Sequence, residues 1–349
     1  MTRPAPPGLT ATENGQPLSV LLAGKLLDGR YQLGPTMGWG GLSDVYYGRD
    51  RVTGDAVAVK FLPGIDPDAI SGAIGEAEGL AMLHDPGIVR LRARGMRDDT
   101  PYLIVDLVEG PSLAELLQRG PLAEDDVVAM GAVVARTLGH AHAIGVAHRA
   151  VQPGNVVFTP VGEPKLADFG LVLTADPTAV VGGHSLAGLQ PYLAPEQVRG
   201  EPADAPSDVY ALGLVLIEAI AGQRAFQGAP AEAAAARLET QPALPDHISR
   251  WLADVLAAMT AIDPAQRPNA ATVAEALGER SADPLSRPTA DPEISAIDLR
   301  DDAEPVIALA PPAFAVPPPP ASERRAAAAD AVVAIVAVAL LVIFTLVVL

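Results

Sequence analysis

Apolar residues fall along this chain in two rhythms. Between Tyr31 and Gly110 they come in short β-branched or aromatic runs, Val45–Tyr47, Ala56–Phe61 and Tyr102–Leu107, separated by turn residues. Each run predicts a strand. A helix from about Asp66 to Leu83 is expected between the second run and the third. After Gly110 the spacing lengthens, and Leu122–Ile144, Val209–Ala221 and Ile248–Met259 carry apolar residues at helical intervals. A strand-rich part followed by a helix-rich part predicts α+β lobes rather than a βαβ array.

Outside this region the rhythm stops. Residues 1–26, rich in Pro, Gly and Thr, read as a flexible leader, and Met1–Gln16 shows no secretory signal. Residues 279–330 form an acidic, proline-rich linker with Pro317–Pro320 in one row. That composition buries too little apolar surface to fold. In the last segment, Ala331–Leu349, only Thr345 is polar. At about 1.5 Å per residue it matches a hydrocarbon core of about 30 Å. It also lacks the polar stripe of a helix packed on a core, so a transmembrane helix is expected over 331–349. Arg324 and Arg325 precede it and favour a cytoplasmic N-terminal side. The expectation is an inner-membrane protein with residues 27–278 as a cytoplasmic domain and no domain beyond the bilayer.

Composition narrows the chemistry. The net charge of −18 argues against a nucleic-acid partner. The absence of cysteine removes disulfides and thiolate metal sites.

Candidate chemistry lies in a series of short motifs. Gly38-Trp39-Gly40-Gly41-Leu42-Ser43-Asp44-Val45 sits between two predicted strands, where glycines let a backbone approach phosphate oxygens. Alone it also fits a plain glycine-rich hairpin. Val57-Ala58-Val59-Lys60 follows. The chain has three lysines, Lys25, Lys60 and Lys165, and one at the end of an apolar strand either holds a phosphate or reaches water at the strand edge. Glu76 lies in the expected helix, and His84-Asp85-Pro86-Gly87-Ile88-Val89 closes it. Tyr102–Gly110, Asp168-Phe169-Gly170, Ala194-Pro195-Glu196, Asp208–Gly213 and Arg267 complete the series.

Taken in order and at these spacings, the motifs from about Tyr31 to Leu277 resemble the bacterial Hanks-type serine/threonine protein kinase family. The resemblance implies a bilobal α+β fold and an ATP site built from Gly38, Gly40, Val45, Ala58, Lys60, Glu76, Asp106 and Val108. Mg2+ would be held by Asn155 and Asp168. It further implies that Arg267 pairs with Glu196. Arg149 would either meet a phosphorylated activation segment, with Thr174, Thr178 and Ser185 as candidates, or serve as an interior structural arginine.

The catalytic loop departs from the family pattern His-Arg-Asp-x-Lys-x-x-Asn. It reads His148-Arg149-Ala150-Val151-Gln152-Pro153-Gly154-Asn155. Ala150 and Gln152 occupy the aspartate and lysine positions, and Leu189 stands where the family places a threonine. Those three groups orient the acceptor hydroxyl, offset charge on the phosphoryl group and tie both to the activation segment. Their joint loss beside a retained ATP apparatus implies a protein that binds Mg–ATP but transfers phosphate poorly or not at all. Such a chain would act as a scaffold or allosteric partner of a cytoplasmic protein. An active serine/threonine kinase, whether slow or not, and a nucleotide-free interaction module are the alternatives.

Overall fold

A computed structural model of the chain describes residues 25–40, 43–62, 85–97, 100–169, 180–181, 184–185 and 190–281. The first part is an antiparallel sheet of β1 (Leu26–Leu27), β2 (Tyr31–Gly40), β3 (Ser43–Asp50), β4 (Ala56–Phe61), β5 (Leu91–Arg97) and β6 (Thr100–Asp106), in the order β1-β2-β3-β4-β6-β5. Strand alternation sorts its residues onto two faces. Tyr31, Leu33, Tyr46, Val57, Val59, Phe61, Tyr102 and Ile104 form a buried cluster on one face. Val45, Tyr47, Ala58, Lys60, Leu103 and Val105 therefore share the other.

The second part is helical: α1 (Leu113–Leu117), α2 (Glu124–Ala143), α3 (Pro195–Val198), α4 (Ala205–Ala221), α5 (Pro230–Glu239), α6 (Arg250–Met259) and α7 (Ala270–Ser281). Two short hairpins accompany them, β7 (Val156–Phe158) with β8 (Pro164–Leu166) and β9 (Val180–Val181) with β10 (His184–Ser185). Helix α4 is apolar on nearly every side and is buried from Ser207 to Ile217 without a break, as a central helix must be. It begins where Ser207 Oγ accepts from the Asp204 amide at 3.3 Å and ends at Gly222, whose φ of 67° suits the left-handed cap. Helix α2 carries Glu124, Asp125 and Asp126 in its first turn and His140 and His142 in its last, a distribution that suits the helix dipole. The cores of α2, α4, α6 and α7 merge into one cluster.

These elements bear out the α+β lobes. Corrections concern boundaries and omissions. Leu26, assigned to the leader, already pairs with Gln32 in the sheet, and α7 runs on to Ser281, past the expected boundary at 278. Strands β1, β5 and β7–β10 and helices α1, α3, α5 and α7 are not among the predicted elements. The helix expected over Asp66–Leu83, with Glu76, lies outside the described residues, as do the linker and residues 331–349. Among the described residues no helix is long and apolar enough to cross a membrane.

Candidate nucleotide site

The sheet and the helical part meet at Lys60 and Asp168. In the β3–β4–β6 ladder Val45 opposes Lys60, Tyr47 opposes Ala58, and Ala58 opposes Val105. Lys60 Nζ donates to Asp168 Oδ1 across the cleft, with both side chains mostly buried. The predicted partner Glu76 is not among the described residues, so the ion pair described for Lys60 is the one with Asp168. Gly38 and Gly40 lie on β2 opposite Val45 and Ser43.

Asp168 has a φ of 67° and Arg149 a φ of 65°. Side chains rarely tolerate this left-handed region, and such residues cluster where function dictates backbone geometry. The catalytic loop is held from behind by Asp208 on α4. Its carboxylate accepts from the amides of His148 and Arg149, at 2.7 Å each, and contacts His142 Nε2 at 2.8 Å. His148 is fully buried against Phe169, with ring centroids 4.3 Å apart. Its Nδ1 accepts from the Ala150 amide at 3.1 Å, so the proton sits on Nε2, which donates to the Ala167 carbonyl at 2.9 Å. Burial pushes this imidazole below the ordinary histidine range and outweighs the opposing field of Asp208.

Asn155 is buried, and its Nδ2 donates to the Ala150 carbonyl at 2.8 Å. Among the described residues, neither Asn155 Oδ1 nor Asp168 Oδ2 accepts a hydrogen bond. Two such oxygens suit a hard divalent cation that takes its other ligands from phosphates and water. On the sheet side, the Val108 amide donates to no protein group among the described residues, leaving a donor at the edge of the cleft. The Asp106 amide is occupied by the Arg90 carbonyl at 2.9 Å, and its carboxylate pairs with Arg92 and Arg90. The residues present therefore fit Mg–ATP. Gly38, Gly40, Val45, Ala58, Lys60 and Val108 border the space, and Asn155 and Asp168 offer oxygens.

Ala150 is buried and carries no polar side-chain atom, and the partly buried Gln152 side chain makes no hydrogen bond among the described residues. Arg149 Nε donates to the Ala203 carbonyl at 3.2 Å. Thr174, Thr178 and Leu189 lie outside the described residues, and Ser185 pairs with Val180.

Three residues escaped the sequence. Met37 and Tyr47 are exposed apolar side chains, and the β3–β4 register puts Tyr47 on the cleft face. Arg237 on α5 is buried, and its guanidinium donates to the Leu193 carbonyl at 3.1 Å, tying α5 to the segment before α3. Its position within an alanine-rich helix gave no signal.

This geometry is that of a protein kinase. The protein kinase domain family model matches residues 31–277, and the chain belongs to that family. Within it, the chain is a bacterial Hanks-type serine/threonine kinase homologue. It is 36% identical over 255 residues to serine/threonine-protein kinase PknA of Mycobacterium tuberculosis, covering 70% of this chain and 59% of that protein. It is 34% identical over 212 residues to serine/threonine-protein kinase PrkC of Bacillus subtilis, covering 60% and 33%. It is also 34% identical over 255 residues to serine/threonine-protein kinase PknL of Mycobacterium tuberculosis, covering 70% and 64%. The chain thus spans less than two thirds of each of these relatives. ATP and Mg2+ are the cofactors of the family.

Proposed function

We propose that this chain is a membrane-anchored pseudokinase. It binds Mg–ATP, transfers phosphate poorly or not at all, and acts as a scaffold or allosteric partner for a cytoplasmic protein. The observation that carries the reading is the contrast within one loop. Asn155 and Asp168 present unpaired oxygens beside Lys60, while Ala150 offers no proton acceptor and Gln152 no charge. The two replacements remove one anion and one cation relative to the family pattern, so the net charge around the phosphate space is conserved. ATP, when bound, supplies the transferable phosphoryl group and Mg2+ offsets its charge. Lys60 orients the phosphates, and Asn155 and Asp168 hold the cation.

Binding is tested by melting the full chain with and without Mg–ATP. A ligand at a hundred times its Kd stabilises the folded state by about 2.7 kcal/mol. The expected result is a clear rise in melting temperature that Lys60→Ala removes. An unchanged parent melting temperature would overturn the nucleotide part of the reading.

A slow kinase is the second reading. It is favoured by the loop backbone, which stays anchored to Asp208 and keeps Asp168 in its left-handed conformation. Loss of a general base costs about 10² to 10⁴ in rate, which leaves the positioning and electrostatic contributions in place.

Anchoring rests on the uninterrupted apolar run 331–349 and the preceding Arg324 and Arg325. The full chain is expected in the membrane pellet after an alkaline wash, and a chain ending at residue 326 in the supernatant. Equal partitioning of the two would remove the anchor from the proposal.

A further inference from the structure

The catalytic loop borders a small, partly open cavity that plays no part in the nucleotide site. It lies between that loop, the segment before α3, and helices α3 and α4, and Arg149, Ala150, Tyr192, Gln197, Ser207 and Asp208 line it. Its free space is that of about one water molecule. The cavity thus adjoins the position from which the family's carboxylate is missing.

Its walls hold one unused donor. Gln197 is 9% exposed, its Oε1 accepts from the Ala194 amide at 3.0 Å, and its Nε2 donates to no group among the described residues. A buried donor without a partner is costly, and a guest that accepts from it removes the cost. Arg149 is the one cation among the lining residues and Asp208 the one anion. Asp208 already faces three donors, the His148 and Arg149 amides and His142, so its charge is met from the loop side. The Ser207 and Tyr192 hydroxyls are spent on Glu196 and Glu218, each at 2.7 Å. This wall chemistry favours a guest that is small and accepts hydrogen bonds.

We propose that the cavity takes a small carboxylate, of which formate is the smallest, and that this guest supplies the proton acceptor Ala150 lacks. The proposal rests on the Mg–ATP reading above. A guest oxygen takes the proton of a serine or threonine hydroxyl as the hydroxyl oxygen bonds the γ-phosphorus. The bond from that phosphorus to the β–γ bridging oxygen breaks, and its electron pair leaves with ADP. The formic acid so formed gives its proton to water, which regenerates the guest.

The test follows phosphotransfer from labelled Mg–ATP to a generic protein acceptor, by the full chain and by Gln152→Lys, with sodium formate titrated against sodium chloride at equal ionic strength. Formate is expected to raise the rate about tenfold or more and then to level off, because a general base is worth about 10² to 10⁴ and an untethered guest forgoes part of it. The rise should be larger in Gln152→Lys, whose cation offsets the added anion. Sodium pivalate, too bulky for a water-sized space, should give no rise. Ala150→Val, which fills the cavity, and Ala150→Asp, which carries its own carboxylate, should not respond to formate. A rate unchanged by formate in both the parent and Gln152→Lys overturns the proposal. So does an equal response to pivalate, or a response that persists in Ala150→Val. The pivalate comparison needs no variant and decides the matter if Ala150→Val does not fold. The Mg–ATP melting shift of the same samples separates the two readings. A shift without a formate response defeats the guest site alone, and no shift in the parent defeats nucleotide binding and the guest site with it.

Discussion

The double substitution Ala150→Asp with Gln152→Lys is expected to raise phosphotransfer from labelled ATP by about 10² to 10⁴-fold over the parent chain. The loop is ready to receive the new side chains. The Ala150 amide is bonded to His148 and its carbonyl to Asn155, so a carboxylate at this position emerges from a fixed backbone. The Gln152 side chain makes no hydrogen bond among the described residues, so its replacement breaks none. Ala150→Asp alone is expected to recover less. It adds an anion at a site only 5% exposed, in a cavity shared with Asp208, without the cation that offsets it. Asp168→Asn in the double mutant should abolish the gain, because it removes the charge that holds Lys60 and the cation. Failure of the double mutant to gain activity, with its Mg–ATP melting shift intact, would move the defect elsewhere, to Leu189 first. A parent already as fast as the double mutant would establish the slow-kinase reading.

Much of this site could be read along the chain because the family's chemistry is tied to short segments at fixed spacing. Ala150 was located by counting from His148 and Asn155, and Lys60 stood out through the rarity of lysine. Both lie where the sequence placed them, one in the loop and one on β4. What could not be read depends on cross-strand register and packing. A strand is expected before the glycine motif, but Gly34, Pro35, Gly38 and Gly40 oppose one locally, and pairing with β3 sets the extent of β2. Strand β5 breaks the apolar pattern with Arg92, Arg94 and Arg97, and its edge position tolerates them. Helix α5 is half alanine, so its buried face is marked by Ala233 and Arg237 rather than by large apolar groups. The Lys60–Asp168 pair joins residues 108 positions apart, and no periodicity encodes it.

Arg267→Met is expected to destabilise the folded chain by about 3–5 kcal/mol, the cost of leaving a buried charge without its partner. Domains of ordinary stability hold only about 5–15 kcal/mol in total, so this single change should remove a large share of it. The guanidinium is saturated. Its two terminal nitrogens grip Glu196 at 2.6 and 2.8 Å and also donate to the Pro206 and Ile262 carbonyls at 2.9 and 3.1 Å, while Nε donates to the Ala261 carbonyl at 2.8 Å. The group also lies 4.8 Å above the Tyr210 ring. Arg267→Lys keeps the charge but loses the planar fork, and should fall between parent and methionine variant. Burial alone would push the Glu196 carboxyl up, but Arg267 and Ser207 Oγ, at 2.7 Å, outweigh it and hold Glu196 below the ordinary glutamate range. A carboxyl depressed in the folded state contributes stability above its unfolded pKa and loses that contribution as pH falls through the folded value. The gap between parent and Arg267→Met in urea unfolding should therefore be widest near neutrality and narrow in acid, as Glu196 becomes protonated in both. His148, also depressed, loses its contribution as pH falls below the ordinary histidine value, while the carboxyls of the half-buried Glu218 and of Asp126, pushed up, act in the opposite sense. These groups are common to both chains, so the difference between the two unfolding curves isolates the pair. A gap of less than about 1 kcal/mol at neutral pH, the scale of an exposed ion pair, would show that the Arg267–Glu196 contact does not hold α3 and α4 to the loop before α7.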